Sequence, residues 1–241
     1  MLERLIDHAA LFPPASMPLP EALAEDRRAR HSPHSDVLNR FVVPVAKLAE
    51  LPEERPPLSV VLVRAEDATL VADVDGVEAV ELVLGGPRPA STDLIEMYSL
   101  LHPLGVETYF ELVFDATWRD SLPATIGAIA AMGGRVKLRC GGEAIPTIQQ
   151  VALVIASCRE AGVPFKATAG LHHAVRNGGD HGFLNILAAA TAPRGGIEAV
   201  LAEEDAAALE PAAAGRDLFT SFGSCSWEEP LEDLEALGLL A

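Results

Sequence analysis

Lysine is scarce in this chain of 241 residues. Only three lysines occur against fifteen arginines, so most of the positive charge is carried by a side chain that stays protonated. Two of the three, Lys137 and Lys166, lie in matched apolar runs that end in glycine, GRVKLRCGG (134–142) and VPFKATAGLHH (163–173). A lysine that is desolvated, or placed beside another cation, loses its proton readily and can then attack a carbonyl group. Both lysines are therefore candidate reactive amines.

Cysteine and long apolar runs are also scarce. Cys140, Cys158 and Cys225 show no CxxC spacing, so neither a disulfide framework nor a zinc cluster is indicated. No apolar stretch reaches the roughly 18 to 20 residues of a membrane span, and the segment MLERLIDHAALFPP lacks the basic region of a signal peptide. We therefore expect a cytoplasmic protein that does not contact membranes.

Basic charge is in deficit as well. The net charge of −17 argues against nucleic acid and anionic membranes as partners, because both require a basic surface. A small anionic molecule remains compatible with this charge where basic groups converge locally, and so does a homo-oligomer. No motif indicates a cofactor.

Short apolar runs rich in Val, Ile, Leu and Phe recur along the chain. Most are continuous rather than alternating, which is typical of strands in a parallel sheet covered on both faces. The eight runs are 5–12, 41–45, 58–64, 77–84, 107–114, 135–140, 164–170 and 217–226.

Helical patterns separate many of these runs. We predict helices over 20–31, over 92–105 with Thr92 as its cap, over 145–162 ending at Gly162, and over 181–192. One or two helical turns are expected between strands two and three, and an extra helix in the insertion 193–216. This alternation predicts one α/β domain over 1–241, a (β/α)₈ TIM barrel, rather than a doubly wound sheet with a glycine-rich phosphate turn.

In such a barrel, alternate strand residues point inward and the active site lies at the carboxyl ends of the strands. Lys137 shares its face with Arg135 and Arg139, and Lys166 shares its face with Thr168. We expect the two ammonium groups to be neighbours whose repulsion favours a neutral amine and a Schiff base with a carbonyl substrate. The alternative is that each lysine is paired with a buried carboxylate and stabilises the fold.

Carboxylates are available on the same side of the barrel. Glu81 and Glu111 each lie inside an apolar strand, where an acid must pair with a cation or shift its pKa. Each is a candidate general acid or base, or a counter-ion of a lysine. Asp7 is a third candidate.

The remaining candidate ligands follow the sixth, seventh and eighth strands. His172, His173 and His181, with Asp180 beside the last and His8 elsewhere, raise the alternative of a metal-assisted hydrolase or lyase. The HxH and HExxH spacings are absent, so we predict no metal site and expect substrate contacts or a lid at 172–182. Arg139, Arg176 and the SFGSCSW turn (221–227) are candidates for holding an anion.

The order of these segments resembles the deoxyribose-phosphate aldolase family, which are barrel aldolases that use a lysine Schiff base. LIDHAALFPPAS resembles that family's LIDHTLLKP-type opening, and VEAVELVL falls where the family has EIDMV. VKLRCGG, FKATAGLHH and SFGSCS fall where it has VKTSTGF, VKASGGIR and GTSSG. The spacings agree within several residues over nearly the whole chain.

This resemblance implies a role for each matched position. Lys137 would be the Schiff-base lysine, Lys166 would lower its pKa, and Glu81 would replace the acid/base aspartate. The family's phosphate site would fall on Gly170, Leu171, Gly223 and Ser224.

Departures from the family point to a different substrate. Glu81 is one methylene longer than aspartate, Arg139 and Cys140 replace small hydroxyl residues, and His172 and His173 replace Ile-Arg. We therefore expect a small, anionic carbonyl compound other than deoxyribose phosphate as the substrate of an aldolase-like lyase. The open alternative from another class is a metabolite-binding barrel without turnover.

Overall fold

A closed barrel of eight parallel strands, paired in chain order, forms the centre of the computed structural model. The structure describes residues 1–84, 90–142 and 145–240. This architecture confirms the predicted (β/α)₈ barrel. The strands are β1 Ile6–His8, β2 Leu38–Pro44, β3 Leu58–Leu62, β4 Val77–Leu82, β5 Glu107–Glu111, β6 Arg135–Arg139, β7 Phe165–Thr168 and β8 Phe219–Ser224.

The apolar strand residues that point outward form the main core, between the sheet and the helices. Val136 and Leu138 on β6 are fully buried, as is Phe222 on β8, which stacks on Phe183 with ring centroids 4.5 Å apart. Strands buried on both faces carry apolar residues on the helix side and mostly apolar residues inside, which explains the nearly continuous apolar runs.

Seven α-helices pack around the barrel in the described residues. They are α1 Leu19–Arg30, α2 Ser91–Leu101, α3 Trp118–Met132, α4 Ile148–Ala161, α5 Phe183–Thr191, α6 Ile197–Ala202 and α7 Glu228–Ala236. Helices α3 and α7 were not predicted. Pro123 and Gly127 inside α3 are poor helix formers, and tertiary packing outweighs their propensity there.

Element ends differ from prediction where a capping residue or a turn intervenes. The strand predicted over 5–12 ends at His8. Thr92 lies inside α2 and does not cap it. The residue at the N-terminal cap is Ala90, whose backbone N–H group donates to the Asp93 carboxylate. Helix α4 begins at Ile148 because the Thr147 hydroxyl caps it, and it ends at Gly162 as predicted, with a left-handed φ of +64°.

Short 3₁₀ turns replace helices in two connections. Val45–Glu50 joins β2 to β3, in agreement with the one or two turns predicted there, and Ala65–Leu70 joins β3 to β4. The insertion 193–216 contains the expected extra helix, but α6 is only six residues long. None of the helices in the described part of the chain has the length and apolar character needed to cross a membrane.

Candidate active site

Lys137 on β6 and Lys166 on β7 are directly paired in the sheet register. Both side chains enter the barrel, as the alternation predicts. The two amines do not face each other directly, because the Glu81 carboxylate of β4 lies between them. The Glu81 Oε1 atom is 2.5 Å from the Lys166 Nζ, and its Oε2 atom is 3.0 Å from the Lys137 Nζ.

A further carboxylate contacts each lysine on its other side. The Oδ2 atom of Asp7 is 2.6 Å from the Lys166 Nζ, and the Oε2 atom of Glu111 is 3.3 Å from the Lys137 Nζ. The five side chains therefore form a continuous line of alternating charge through the barrel interior. Its order is Asp7, Lys166, Glu81, Lys137, Glu111.

Lys166 is sealed inside the protein and has no exposed surface. Burial disfavours its charge, but Asp7 and Glu81 outweigh that effect and raise the pKa of Lys166 above its ordinary range. Asp7 is itself held by hydrogen bonds from the Ser221 hydroxyl at 2.7 Å and from the Asn39 amide at 2.8 Å. Lys166 is therefore a fixed cation.

Glu81 is equally buried and is held as a carboxylate. Burial by itself would raise its pKa, but Lys166 and Lys137 reverse that effect, and the pKa of Glu81 lies well below its usual range. The Ser59 hydroxyl also donates to Oε1 at 2.7 Å. The Oε1 atom is thus fully engaged, whereas Oε2 faces Lys137.

Lys137 differs from Lys166 because it lines a cavity of about 470 Å³ at the carboxyl ends of the strands. Its contacts with Glu81 and Glu111 are ion pairs without a well-directed hydrogen bond, and Oε2 of each acid is buried without a hydrogen-bond partner among the described residues. A volume of this size accommodates a small molecule. The Lys137 side chain can therefore contact a small molecule in this cavity.

The turn after β7 brings backbone close to the cavity. Ala169 and Gly170 both adopt left-handed φ values, of +60° and +66°, and such strain in a non-glycine residue is typical of functional sites. A Cβ atom on Gly141 would lie only 2.7 Å from the Gly170 backbone, so the β6 and β7 turns touch without side chains between them. The N–H groups of Gly170 and Leu171 donate to no described residue.

Several predicted anion-binding residues surround this turn. Arg139, Gly170, Leu171, Gly223 and Ser224 all line the cavity. The Arg139 Nε donates to the Gly141 carbonyl oxygen at 3.0 Å. Cys140 does not line the cavity, and burial raises the pKa of its thiol to about 12.

The three histidines proposed as metal ligands do not converge. His172 lines the cavity and lies 3.2 Å from Glu229, whereas His173 lies 3.5 Å from Asp233 of α7. The Nε2–H group of the buried His181 donates to the Pro146 carbonyl oxygen, and burial lowers the pKa of His181. Within residues 1–84, 90–142 and 145–240, no group of three His, Cys, Asp or Glu side chains could hold a metal ion.

Two other candidates lie away from the cavity. Arg176 donates to the Gly178 carbonyl oxygen at 2.9 Å and lies outside the cavity lining, as His173 does. His8 points toward α1, where Glu25 and Asp26 are each 3.3 Å from its ring nitrogens.

Sequence reasoning missed most of one cavity wall. Phe12, Pro13, Pro14, Val42 and Val61 all line the cavity. An apolar residue at a strand end has no chemical signature of its own, so only the barrel register could have indicated Val42 and Val61.

Known proteins resemble this chain only at low similarity, and only among solved structures. No protein-family model matches the chain, and no curated protein matches it. Among solved structures it is similar to a monomeric dihydrodipicolinate synthase variant, with a TM-score of 0.46 and 17% identity over 69% of this chain and 63% of that chain. The matched part thus spans less than two thirds of the synthase.

Two further similar structures are less alike. One is the protein CutC of Streptococcus agalactiae, provisionally assigned to copper homeostasis, with a TM-score of 0.40 and 12% identity over 70% of this chain and 89% of that one. The other is an Agrobacterium tumefaciens protein in its apo form, with a TM-score of 0.41 and 13% identity over 99% and 97% of the two chains. At these scores none of the three informs on chemistry, and the fold assignment rests on the closed sheet itself.

Proposed function

We propose that this protein is an aldolase-like lyase in which Lys137 forms a Schiff base with a small, anionic carbonyl compound. The observation that supports this most strongly is the position of Lys137, which lines the cavity and whose amine lies between the Oε2 atoms of Glu81 and Glu111, two buried atoms that form ion pairs with it and accept no hydrogen bond from any described residue. A nucleophilic lysine needs a substrate cavity, a group that accepts its proton and a nearby cation. The cavity adjoins Lys137, and the proton acceptor and the cation belong to the line of five charged side chains.

Glu111 is the better acceptor for the first proton. Glu81 already neutralises Lys166 and accepts a hydrogen bond from Ser59, whereas Glu111 contacts only Lys137 among the charged described residues. Transfer of a proton from Lys137 to Glu111 leaves a neutral amine. That amine adds to the carbonyl carbon, and loss of one water molecule gives the Schiff base.

Lys166 acts in this proposal through Glu81. Because Lys166 stays protonated, it holds Glu81 as a carboxylate whose Oε2 atom faces the reacting nitrogen. That oxygen can stabilise the protonated Schiff base, and Glu111, which took the first proton, can move protons as the carbon–carbon bond breaks or forms. Direct repulsion by Lys166 is a smaller influence than the sequence suggests, since Glu81 screens it.

The anionic part of the substrate would lie on the side of β6 to β8. Arg139 supplies a guanidinium group there, and Gly170 and Leu171 supply backbone N–H groups. Gly170 and Leu171 are among the positions at which the resemblance to the deoxyribose-phosphate aldolases implies a phosphate site, whereas Arg139 is a departure from that family. The resemblance supports the proposal in this respect and does not identify the substrate.

A second candidate function is a metabolite-binding barrel without turnover. It is favoured by the finding that each ammonium group contacts two carboxylates, so that both lysines can serve as structural cations. The two functions differ in whether Lys137 ever becomes neutral.

Exchange of substrate protons with solvent separates these candidates. A Schiff base acidifies the carbon next to the former carbonyl group, so ketones and aldehydes incubated with the protein in D₂O should lose α-proton signals in NMR spectra. We expect exchange with the native protein, none with Lys137→Met, and full exchange with Lys47→Met, whose lysine is exposed. Equal exchange in the native protein and Lys137→Met would favour the binding barrel.

A further inference from the structure

The cavity beside Lys137 has two walls of opposite character among the residues that the structure describes. The wall from the β1 to β4 side consists of Phe12, Pro13, Pro14, Val42, Val61 and Val83, next to a single polar side chain, Glu81. The wall from the β6 to β8 side contributes Arg139, Thr168, His172, Asp180, Ser224 and Cys225 in addition to Lys137. Ile145 and Leu171 are apolar members of this second wall.

The barrel topology sets these walls opposite each other. Strands in an eight-stranded barrel paired in chain order face the strand four positions away, so β2 faces β6 and β3 faces β7. Val42 of β2 thus lies across the cavity from the strand of Lys137. Val61 is directly paired with Glu81 in the β3–β4 register, which places it beside the carboxylate that contacts the Lys137 amine.

A substrate bound to Lys137 must therefore present different surfaces to the two sides. We call the wall from the β1 to β4 side, which contains Val42, Val61 and Val83, the valine wall. A hydroxyl group pressed against it would lose its hydrogen bonds to water without replacement, which costs free energy. An alkyl or ring group there would gain from leaving water. The opposite wall offers a guanidinium group, a hydroxyl group and free backbone N–H groups to a charged end.

We propose that the substrate class is a small carbonyl compound with a branched or ring-shaped apolar arm on one side of the carbonyl carbon and one anionic group on the other, rather than a polyhydroxylated sugar phosphate. This inference rests on the proposed function, because it takes Lys137 as the point of attachment. The apolar arm lies against Val42, Val61 and Phe12, and the anionic group lies toward Arg139 and the Gly170 turn.

Reductive trapping with two probes of equal chain length tests the inference on the unmodified protein. The probes are 4-methyl-2-oxopentanoate, with a branched apolar arm, and 4,5-dihydroxy-2-oxopentanoate, with a hydroxylated one. Rates of adduct formation in borohydride, read by intact mass, should be at least about tenfold higher for the branched probe, since an apolar wall disfavours hydroxyl groups that it cannot pair by this factor or more. Equal rates, or a faster hydroxylated probe, overturn the inference.

Isosteric variants locate the preference on the valine wall. In the double variant Val42→Thr and Val61→Thr, the ratio of the two rates should fall about tenfold, because each new hydroxyl group can pair with a substrate hydroxyl group. Val63→Thr is the matched control, since Val63 is 72% exposed and does not line this cavity. An unchanged ratio in the double variant, with its folding confirmed by circular dichroism, counts against the proposed wall.

Failure of the chemistry and failure of this inference give different results. If neither probe forms an adduct, that result counts against a Schiff base with these two compounds, and the cavity preference is then read from binding of the carbonyl-free acids 4-methylpentanoate and 4,5-dihydroxypentanoate in ligand-observed NMR. A dissociation constant at least about tenfold lower for 4-methylpentanoate than for 4,5-dihydroxypentanoate supports the apolar wall. Equal binding, or binding of neither acid, overturns it.

Discussion

Glu81 determines how differently the two barrel lysines behave. Its Oε1 atom is committed to Lys166 and Ser59, while its Oε2 atom faces Lys137 without a hydrogen bond. One carboxylate therefore both fixes a buried cation and contacts the lysine at the cavity. Sequence alternation predicted that all three side chains enter the barrel, but it could not show that the carboxylate lies between the amines, because that depends on the stagger of β4 against β6 and β7.

Replacement of Lys166 tests its role as a buried cation. Lys166→Met leaves Asp7 and Glu81 without the ammonium group between them, and breaking such a buried pair costs about 3 to 5 kcal/mol of unfolding free energy. Urea denaturation followed by circular dichroism measures the loss. Lys47→Met is the matched control, because the exposed pair of Lys47 with Glu50 contributes about 1 kcal/mol at most. Similar losses in the two variants would contradict the assignment.

The depressed pKa of Glu81 predicts a loss of stability in acid. A carboxylate whose pKa is lower in the folded than in the unfolded protein stabilises the fold above its unfolded pKa of about 4.3, and this contribution disappears as pH falls toward the folded value. Unfolding free energy should therefore decrease below about pH 4, and the decrease should be smaller in Glu81→Gln. Glu50→Gln, at an exposed site, should retain the native decrease. An unchanged acid decrease in Glu81→Gln would show that other groups cause it.

At the level of elements, the strands were easier to predict than the helices. Strand runs such as 58–64 carry nearly continuous apolar patterns imposed by burial on both faces, and the structure places β3 at Leu58–Leu62. Helix α3 was missed because Pro123 and Gly127 obscure its pattern. The end of β1 was placed too far along the chain, since apolar residues continue into the turn that forms one wall of the cavity.

The contact between the β6 and β7 turns should be sensitive to a single methyl group. Gly141→Ala would place a Cβ atom 2.7 Å from the Gly170 backbone, and such overpacking typically costs about 1 to 3 kcal/mol. Gly127→Ala on α3 is the control, because nothing lies within 4 Å of its added Cβ and alanine favours helix by up to about 1 kcal/mol. In both thermal and urea unfolding, Gly141→Ala should lower the midpoint and Gly127→Ala should raise it or leave it unchanged. A neutral Gly141→Ala variant would mean that the turns separate easily.

For the molecule as a whole, the sequence predicted the architecture, most of the charged site and its side of the cavity, but little of the apolar side of the cavity. Lys137, Lys166, Glu81 and Glu111 were found because charged residues inside apolar strands are conspicuous. His173, Arg176 and His181 lie elsewhere because the chain between β7 and α5 carries them away from the barrel axis, toward α7 and the start of α4. The valine wall was missed because its residues are chemically ordinary and acquire meaning only from their position around the closed sheet.

Covalent trapping at Lys137 tests the central claim most directly. The protein is incubated with a panel of aldehydes and ketones in borohydride, and adducts are located by peptide mapping. We predict a stable adduct on Lys137 with at least one compound, no adduct on the sealed Lys166, and loss of the adduct in Lys137→Met while Lys47→Met retains it. No adduct with any compound, or modification confined to the exposed Lys47, would contradict the proposal that this barrel works through a lysine Schiff base.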